Sequence, residues 1–213
     1  EFKQTLSFRF ASGVIFISSY ASNYIQTKYP FLRKKYSDII YHGVAGRFSA
    51  GNDAKKLKED FTDQKPFRLL YVSIINYYKH QDKLIEAVVR LKKSGVPVEL
   101  NLVGPLNPKM KVKFEALLEQ SVDCVKYHGK ISYEQIHTCY NNCDLFVFAS
   151  TCENMPNILI EAMKAGVPVL CSNYGPMPEI LKDAGIYFDP LNVDDLCDKI
   201  TQFKNSYQLR QES

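Results

Sequence analysis

The chain of 213 residues lacks the features of a membrane-spanning or exported disulfide-bonded protein. No apolar run approaches the roughly 18–20 residues that cross a bilayer, and the first residues lack the uninterrupted apolar core of a secretory signal. The six cysteines form no C-x-x-C pair and no cluster with histidine at zinc spacing. We interpret them as reduced thiols and expect a cytoplasmic protein without structural disulfides.

Other absences exclude function classes. No G-x-G-x-x-G follows a predicted strand, which argues against a dinucleotide-dependent oxidoreductase. No Asp-x-Asp motif is present, and the pair Asp194-Asp195 falls in the first turn of a predicted helix, where acidic side chains are expected. We therefore expect no metal site. The net charge of +4 fits an anionic ligand, but the basic residues form no dense stripe, so nucleic acid is not expected.

Strands and helices alternate regularly from residue 66 onward. Strands are predicted at 67–72, 98–103, 122–127, 145–149, 167–171 and 185–188, and helices at 80–93, 108–120, 132–142, 157–165, 178–183 and 192–206. Strands that alternate with helices of this length require right-handed crossovers. The pattern predicts an α/β fold with a doubly wound parallel sheet.

The first part of the chain has a different organisation. A strand at 13–18, a helix at 19–29 and a short strand at 39–41 make one β-α-β unit, which cannot bury both of its faces alone. Residues 51–65 are charged, with few apolar side chains, and are predicted to be a linker or surface helix. We therefore divide the chain into residues 1–50, 51–65 and 66–213.

The most informative stretch is 145–172, a predicted strand, loop, helix and strand. Its loop carries Glu153, and Glu161 lies on the polar face of its helix. Open α/β sheets bind ligands at the carboxyl ends of their strands, where this loop is placed. Spacing alone is a weak signal, because 23 acidic residues produce such pairs by chance.

Residues 153–169 read E-N-M-P-N-I-L-I-E-A-M-K-A-G-V-P-V. The segment resembles the E-x7-E motif of the retaining GT-B glycosyltransferases of glycosyltransferase family 4, and the resemblance is most specific over residues 67–190. It implies a Rossmann-like GT-B C-terminal domain preceded by the end of the N-terminal acceptor domain. The implied reaction moves a hexose from a GDP- or UDP-linked sugar to a saccharide or lipid-linked acceptor with retention, in polysaccharide or glycoconjugate biosynthesis. No cofactor is implied.

The resemblance also implies roles for individual residues. Glu161 would hold the ribose and Glu153 would lie beside the donor sugar. Lys79 matches a family lysine that grips the diphosphate, and with Glu153 it forms the expected catalytic pair. The family's Gly-Arg pair after the first strand of the domain is replaced here by Ser73 and Ile74, which removes one bidentate phosphate ligand.

Further binding residues follow from the ends of the strands and the start of the helix. The amides of Asn157 and Ile158 begin a helix and are predicted to face the diphosphate. Gly104 is expected to let the backbone approach the ligand. Lys130 would supply a second positive charge, and Ile131 lies in the loop that relatives use against the nucleobase.

Two alternatives stay open besides the enzyme. The missing arginine at Ile74 favours a non-catalytic nucleotide-sugar-binding module, and a Rossmann oxidoreductase is a further alternative. The resemblance implies peripheral contact with the cytoplasmic face of the inner membrane through the N-terminal domain. With only residues 1–50 of that domain, this polypeptide is expected to bind donor without transferring sugar. Glu179 is expected to cap its own helix.

Overall fold

The computed structural model describes residues 2–49 and 60–212. The first part begins with helix α1 (Phe2–Phe10), which the sequence did not predict. Strand β1 (Gly13–Phe16), helix α2 (Ser19–Lys28) and strand β2 (Tyr36–Ile39) follow, and the two strands pair in parallel. This confirms the β-α-β unit. Strand β2 begins three residues before the predicted strand at 39–41 and overlaps it only at Ile39, so the predicted boundaries were wrong.

Helix α2 has clear start and stop signals. The Ser18 side chain accepts a hydrogen bond from the Ala21 amide, which is an N-cap. Pro30 lacks an amide hydrogen, and a five-residue 3₁₀ turn (Pro30–Lys34) replaces the helix there. Both boundaries lie within one residue of the predicted helix at 19–29.

The second part is built on a single parallel sheet of six strands. They are β3 (Phe67–Val72), β4 (Val98–Val103), β5 (Val125–Tyr127), β6 (Leu145–Phe148), β7 (Val169–Ser172) and β8 (Ile186–Phe188). Their order across the sheet is β5-β4-β3-β6-β7-β8, and every neighbouring pair is parallel. The doubly wound α/β fold is confirmed.

Helices cover both faces of this sheet. They are α3 (Gln81–Lys93), α4 (Lys111–Glu119), α5 (His137–Asn141), α6 (Asn157–Lys164), α7 (Met177–Leu181), α8 (Val193–Asn205) and α9 (Tyr207–Glu212). Strand β6 is buried at every position because it lies between two other strands and two helical layers. Helix α8 begins as predicted, with the Asn192 side chain accepting hydrogen bonds from the Asp194 and Asp195 amides.

Several boundaries differ from those predicted. The segment 132–142 is helical only from His137, because Ser132 bonds the Gln135 side chain without capping a helix. Residues 108–110 form a 3₁₀ turn before α4. Strands β5 and β7 begin after the predicted residues 122 and 167.

The predicted linker lies mostly outside the described residues, since 51–59 fall there. Its described end carries an isolated antiparallel bridge between Thr62 and Lys65. The Phe61 ring packs edge-on against Phe67 of β3, with ring centroids 4.9 Å apart. Within the described residues, no helix is long and apolar enough to cross a membrane.

Candidate functional site

The candidate site lies where the strand order reverses, at the carboxyl ends of β3 and β6. Starting from the centre of the sheet, β3, β4 and β5 are placed successively toward one edge, and β6, β7 and β8 successively toward the other. Connections from adjacent strands therefore leave toward opposite faces and open a crevice, which is where open α/β sheets bind ligands. The turn after β3 carries Lys79, and the loop after β6 carries Glu153.

Lys79 and Glu153 form a direct ion pair across this crevice. The Lys79 ammonium bonds Glu153 Oε1, and the two side chains are only 8% and 15% exposed. The same ammonium lies 5.4 Å from the ring centroids of Tyr78 and of Phe148. Removal from water makes each charge depend on its partner. The structure thus brings together the two residues predicted to be catalytic.

Helix α6 begins at Asn157 with its first amides free. Pro156 precedes it without a side-chain cap, and within the described residues neither the Asn157 nor the Ile158 amide donates a hydrogen bond. Uncapped amides and the helix dipole favour an anion. The His42 Nδ1 atom lies 2.7 Å from Asn157 Oδ1, so the first part of the chain reaches this helix start.

Glu161 is buried, although the sequence placed it on the polar face of α6. It is 5% exposed, and its Oε2 accepts a 3.1 Å hydrogen bond from the Tyr140 hydroxyl. Burial raises the pKa of Glu161, and the bond from Tyr140 opposes this only in part. A desolvated carboxylate with unused acceptor capacity is suited to receive hydroxyl hydrogens from a ligand.

A close approach to the protein's own backbone requires glycine at position 104. Its φ is +139°, and a Cβ atom at this position would lie 2.0 Å from the Ser73 carbonyl oxygen. Only glycine fits against the end of β3 here. The close approach expected toward a ligand is thus an approach to the neighbouring strand, and a role for Gly104 in binding stays a prediction.

Lys130 and Ile131 lie in the loop after β5, apart from the ion pair. Lys130 is exposed and forms no ion pair or hydrogen bond with any described residue. Ile131 packs against the core and, with His128, lines a cavity of about 280 Å³ between the sheet and α5. The structure does not bring Lys130 into contact with Lys79, and the sharing of a diphosphate between them remains a prediction.

The prediction that Glu179 caps its own helix was wrong, because no side chain among the described residues caps α7. The Glu179 Oε1 atom accepts hydrogen bonds from the Ser19 amide at 2.7 Å and the Tyr41 hydroxyl at 2.6 Å, and its Oε2 accepts one from the Tyr20 amide at 2.8 Å. It therefore caps the start of α2, 160 residues away. The Ser18 hydroxyl adds a 2.8 Å bond to the Asn154 carbonyl. No local sequence signal predicts these contacts.

Within the described residues, no three His, Cys, Asp or Glu side chains cluster as a metal site. The six cysteines are free, and their interpretation as thiols of a reducing compartment stays a prediction.

A protein-family model described as "Glycosyl transferases group 1" matches residues 52–213. The chain belongs to this family.

Two of the curated relatives of this group 1 glycosyl transferase are bacterial proteins. O-antigen chain mannosyltransferase B from Escherichia coli is 37% identical over 78 residues, which cover 37% of this chain and 20% of that protein. Protein CapJ from Staphylococcus aureus is 26% identical over 216 residues, which cover 100% of this chain and 51% of CapJ. The chain thus spans about half of CapJ and less of the mannosyltransferase.

Solved structures confirm the GT-B glycosyltransferase fold. Anabaena HepE, crystallised in complex with UDP and glucose, has a TM-score of 0.78 and 24% identity over 97% of this chain and 57% of HepE. Sucrose-phosphate synthase from Thermosynechococcus elongatus has a TM-score of 0.79 and 21% identity over 98% of this chain and 53% of the synthase.

Ile74, which the resemblance places where relatives carry an arginine, is 37% exposed. Arg47, near the end of the first part of the chain, stacks on the Tyr133 ring with its guanidinium 4.8 Å from the centroid. Lys79 places its positive charge in the crevice, next to Glu153.

Proposed function

We propose that this chain binds the donor of a retaining hexosyltransferase of family 4. The donor is a nucleoside-diphosphate hexose, linked to GDP or UDP, and the site lies within residues 66–213. The observation that carries the proposal is the crevice between β3 and β6. There, the desolvated Lys79–Glu153 pair includes a residue of the loop that leads into α6, and among the described residues the first two amides of that helix have no acceptor.

The chemistry assigned to each group follows from its charge and position. Lys79 and the amides of Asn157 and Ile158 would stabilise the negative charge that develops on the leaving diphosphate. Hydrogen bonds to charged groups contribute about 1.5–3 kcal/mol each, so two free amides rival a lysine. Glu161 would accept hydrogen bonds from the ribose hydroxyls, and Glu153 would lie beside the sugar. A protein nucleophile is not required if the leaving diphosphate assists deprotonation of the acceptor.

The relatives support a role in polysaccharide or glycoconjugate synthesis. The names of the two curated proteins refer to an O-antigen chain mannosyltransferase and to CapJ. The solved HepE complexes contain UDP and, in one case, glucose. On this basis we propose a saccharide or lipid-linked acceptor and a place at the cytoplasmic face of the membrane.

One observation favours a second function, a non-catalytic nucleotide-sugar-binding module. With Ile74 in place of arginine, Lys79 is left to neutralise the diphosphate, and its ammonium is already paired with Glu153. Binding would survive this loss better than catalysis, because catalysis depends on charge stabilisation in the transition state.

A thermal-shift panel of UDP, GDP, ADP, dTDP and CMP tests nucleotide binding. A ligand at 100 times its dissociation constant stabilises the fold by about 2.7 kcal/mol. We expect a shift with UDP or GDP that Glu161→Ala abolishes. If none of the five nucleotides shifts the transition, the proposed function is wrong. If a nucleotide does bind, transfer of labelled sugar by the full-length protein would distinguish the enzyme from the binding module.

A further inference from the structure

His80 has a backbone conformation that side chains disfavour. Its φ and ψ are 51° and 34°, in the left-handed region, and it immediately precedes α3. Within the described residues, the one other non-glycine residue with positive φ is Lys182. A residue held in this region needs surrounding contacts that fix it, and such residues concentrate at functional sites.

The contact that fixes His80 leads to the loop carrying Glu153. The His80 Nε2 atom lies 2.9 Å from the Thr151 hydroxyl oxygen. The Thr151 amide donates a 2.9 Å hydrogen bond to the Tyr78 carbonyl. Thr151 is therefore held by the residues on both sides of Lys79, two positions before Glu153.

These bonds join the two connections that supply the ion pair. Lys79 follows β3 and Glu153 follows β6, and the two strands pair through only two Cα partners, Leu69 with Leu145 and Leu70 with Phe146. Beyond the strand ends, the His80–Thr151 contact and the Tyr78–Thr151 bond help to join the two loops, together with the ion pair and with the Ser150 and Thr151 hydroxyls, which bond the Tyr78 carbonyl. A shift of the loop would move Glu153 relative to the Lys79 ammonium.

We propose that His80 is a positioning residue, which holds Lys79 and Glu153 in register for the diphosphate through its bond to Thr151. The inference rests on the proposed function, because it assigns a second layer of residues to the same donor site. His80 itself touches no substrate. The left-handed backbone directs the His80 ring to the loop after β6. A glycine at position 80 would adopt the same backbone conformation without making this contact.

The decisive variant is His80→Gly. Glycine adopts the left-handed conformation readily, so the unliganded protein should melt at the same temperature or higher. The affinity for UDP and GDP should nevertheless fall roughly fivefold, the effect of one net hydrogen bond. The affinity for uridine and guanosine, followed by NMR titration, should not change. A folding defect would lower all four affinities together.

Thr151 supplies matched variants. Thr151→Val removes the hydroxyl at nearly constant volume and should reproduce the loss for diphosphates, whereas Thr151→Ser keeps the hydroxyl and should restore wild-type affinity. The double variant His80→Gly/Thr151→Val should bind no more weakly than Thr151→Val alone, because Thr151→Val already removes the His80 contact together with the 3.4 Å bond from the Thr151 hydroxyl to the Tyr78 carbonyl. Lys182→Gly, which relaxes the other left-handed residue, is the control and should bind as wild type.

The outcomes separate this inference from the proposed function. If the wild-type protein binds neither UDP nor GDP, the proposed function fails and this inference fails with it. If the wild-type protein binds a diphosphate and His80→Gly binds it equally well, the positioning role is wrong while the donor site stands. Equal losses for nucleosides and diphosphates would also overturn it.

Discussion

Replacing Glu179 with glutamine should loosen the contact between the first part of the chain and the part that carries the six-stranded sheet. The carboxylate accepts three hydrogen bonds, from the Ser19 amide, the Tyr20 amide and the Tyr41 hydroxyl. Glutamine keeps one acceptor oxygen but turns an NH₂ group toward the other donors and removes the charge at the start of α2. Loss of an N-cap destabilises by about 0.5–2 kcal/mol, and loss of the charge–dipole attraction adds about 0.3–1 kcal/mol.

Hydrogen exchange measures this effect locally. A loss of about 1–2 kcal/mol corresponds to a factor of roughly 5–30 in an opening equilibrium. Protection of the Ser19 and Tyr20 amides should therefore fall by that factor in Glu179→Gln, while amides of β3 and β6 keep their protection. Glu119→Gln, at an exposed helix end, is the matched control and should leave both regions unchanged.

The same contact should weaken in acid. Burial opposes ionisation of Glu179, but the hydrogen bonds from Tyr41, Ser19 and Tyr20 outweigh it and keep its pKa below the ordinary value. A group with a lowered folded-state pKa contributes stability above its unfolded-state pKa of about 4.3 and loses it as the pH falls through the folded value. Protection at Ser19 and Tyr20, corrected for intrinsic exchange, should fall below about pH 4 in the wild type only. Parallel pH profiles for wild type and Glu179→Gln would refute the reasoning.

Three further predictions concern the site. Glu161→Gln should be more stable than wild type, because burial raises the pKa of Glu161 and disfavours its charged form. The difference in the free energy of unfolding should grow as the pH rises above about 4.3. Urea unfolding at several pH values tests this, and identical profiles would contradict it. Lys79→Met should destabilise the protein by about 3 kcal/mol by leaving Glu153 unpaired, and adding Glu153→Gln should restore stability without restoring UDP or GDP binding, which calorimetry would show. Gly104→Ala should destabilise by about 3 kcal/mol or more because its Cβ would lie 2.0 Å from a backbone oxygen, whereas Gly129→Ala, with open space around it, should lose only about 1 kcal/mol in the same urea titration.

Much of the fold was predictable because its signals are local. The apolar run at 67–72 and the polar-capped helix after Asn192 need no tertiary information, and both were placed correctly. Helix α5 was predicted five residues too long at its start, since the Ser132 and Gln135 side chains suit either a cap or a turn. The strand order across the sheet depends on which helix covers which face, and no local pattern contains that information.

The site was predictable only as a set of residue types. Lys79 and Glu153 were identified from the resemblance, but their direct pairing depends on the β3–β6 crossover. The burial of Glu161 was missed because its neighbours in sequence indicate a polar helix face, while Tyr140 from α5 covers it. His80 carried no signal, because a left-handed conformation at a histidine is set by a partner 71 residues away.

The β3–β6 boundary also divides the sheet into two halves, each built from a continuous stretch of the chain. Strands β3 to β5 are consecutive in the chain, as are β6 to β8, so each half can form by short crossovers. Joining the halves brings β3 beside β6, which begins after Asp144, the residue that bonds the Arg68 amide across 76 positions of the chain. Closing such a long loop has a large cost in conformational entropy, which contacts already formed within each half must offset. A nucleotide that bridges the two halves would bind them only when they are joined and should therefore stabilise the native state against their separation.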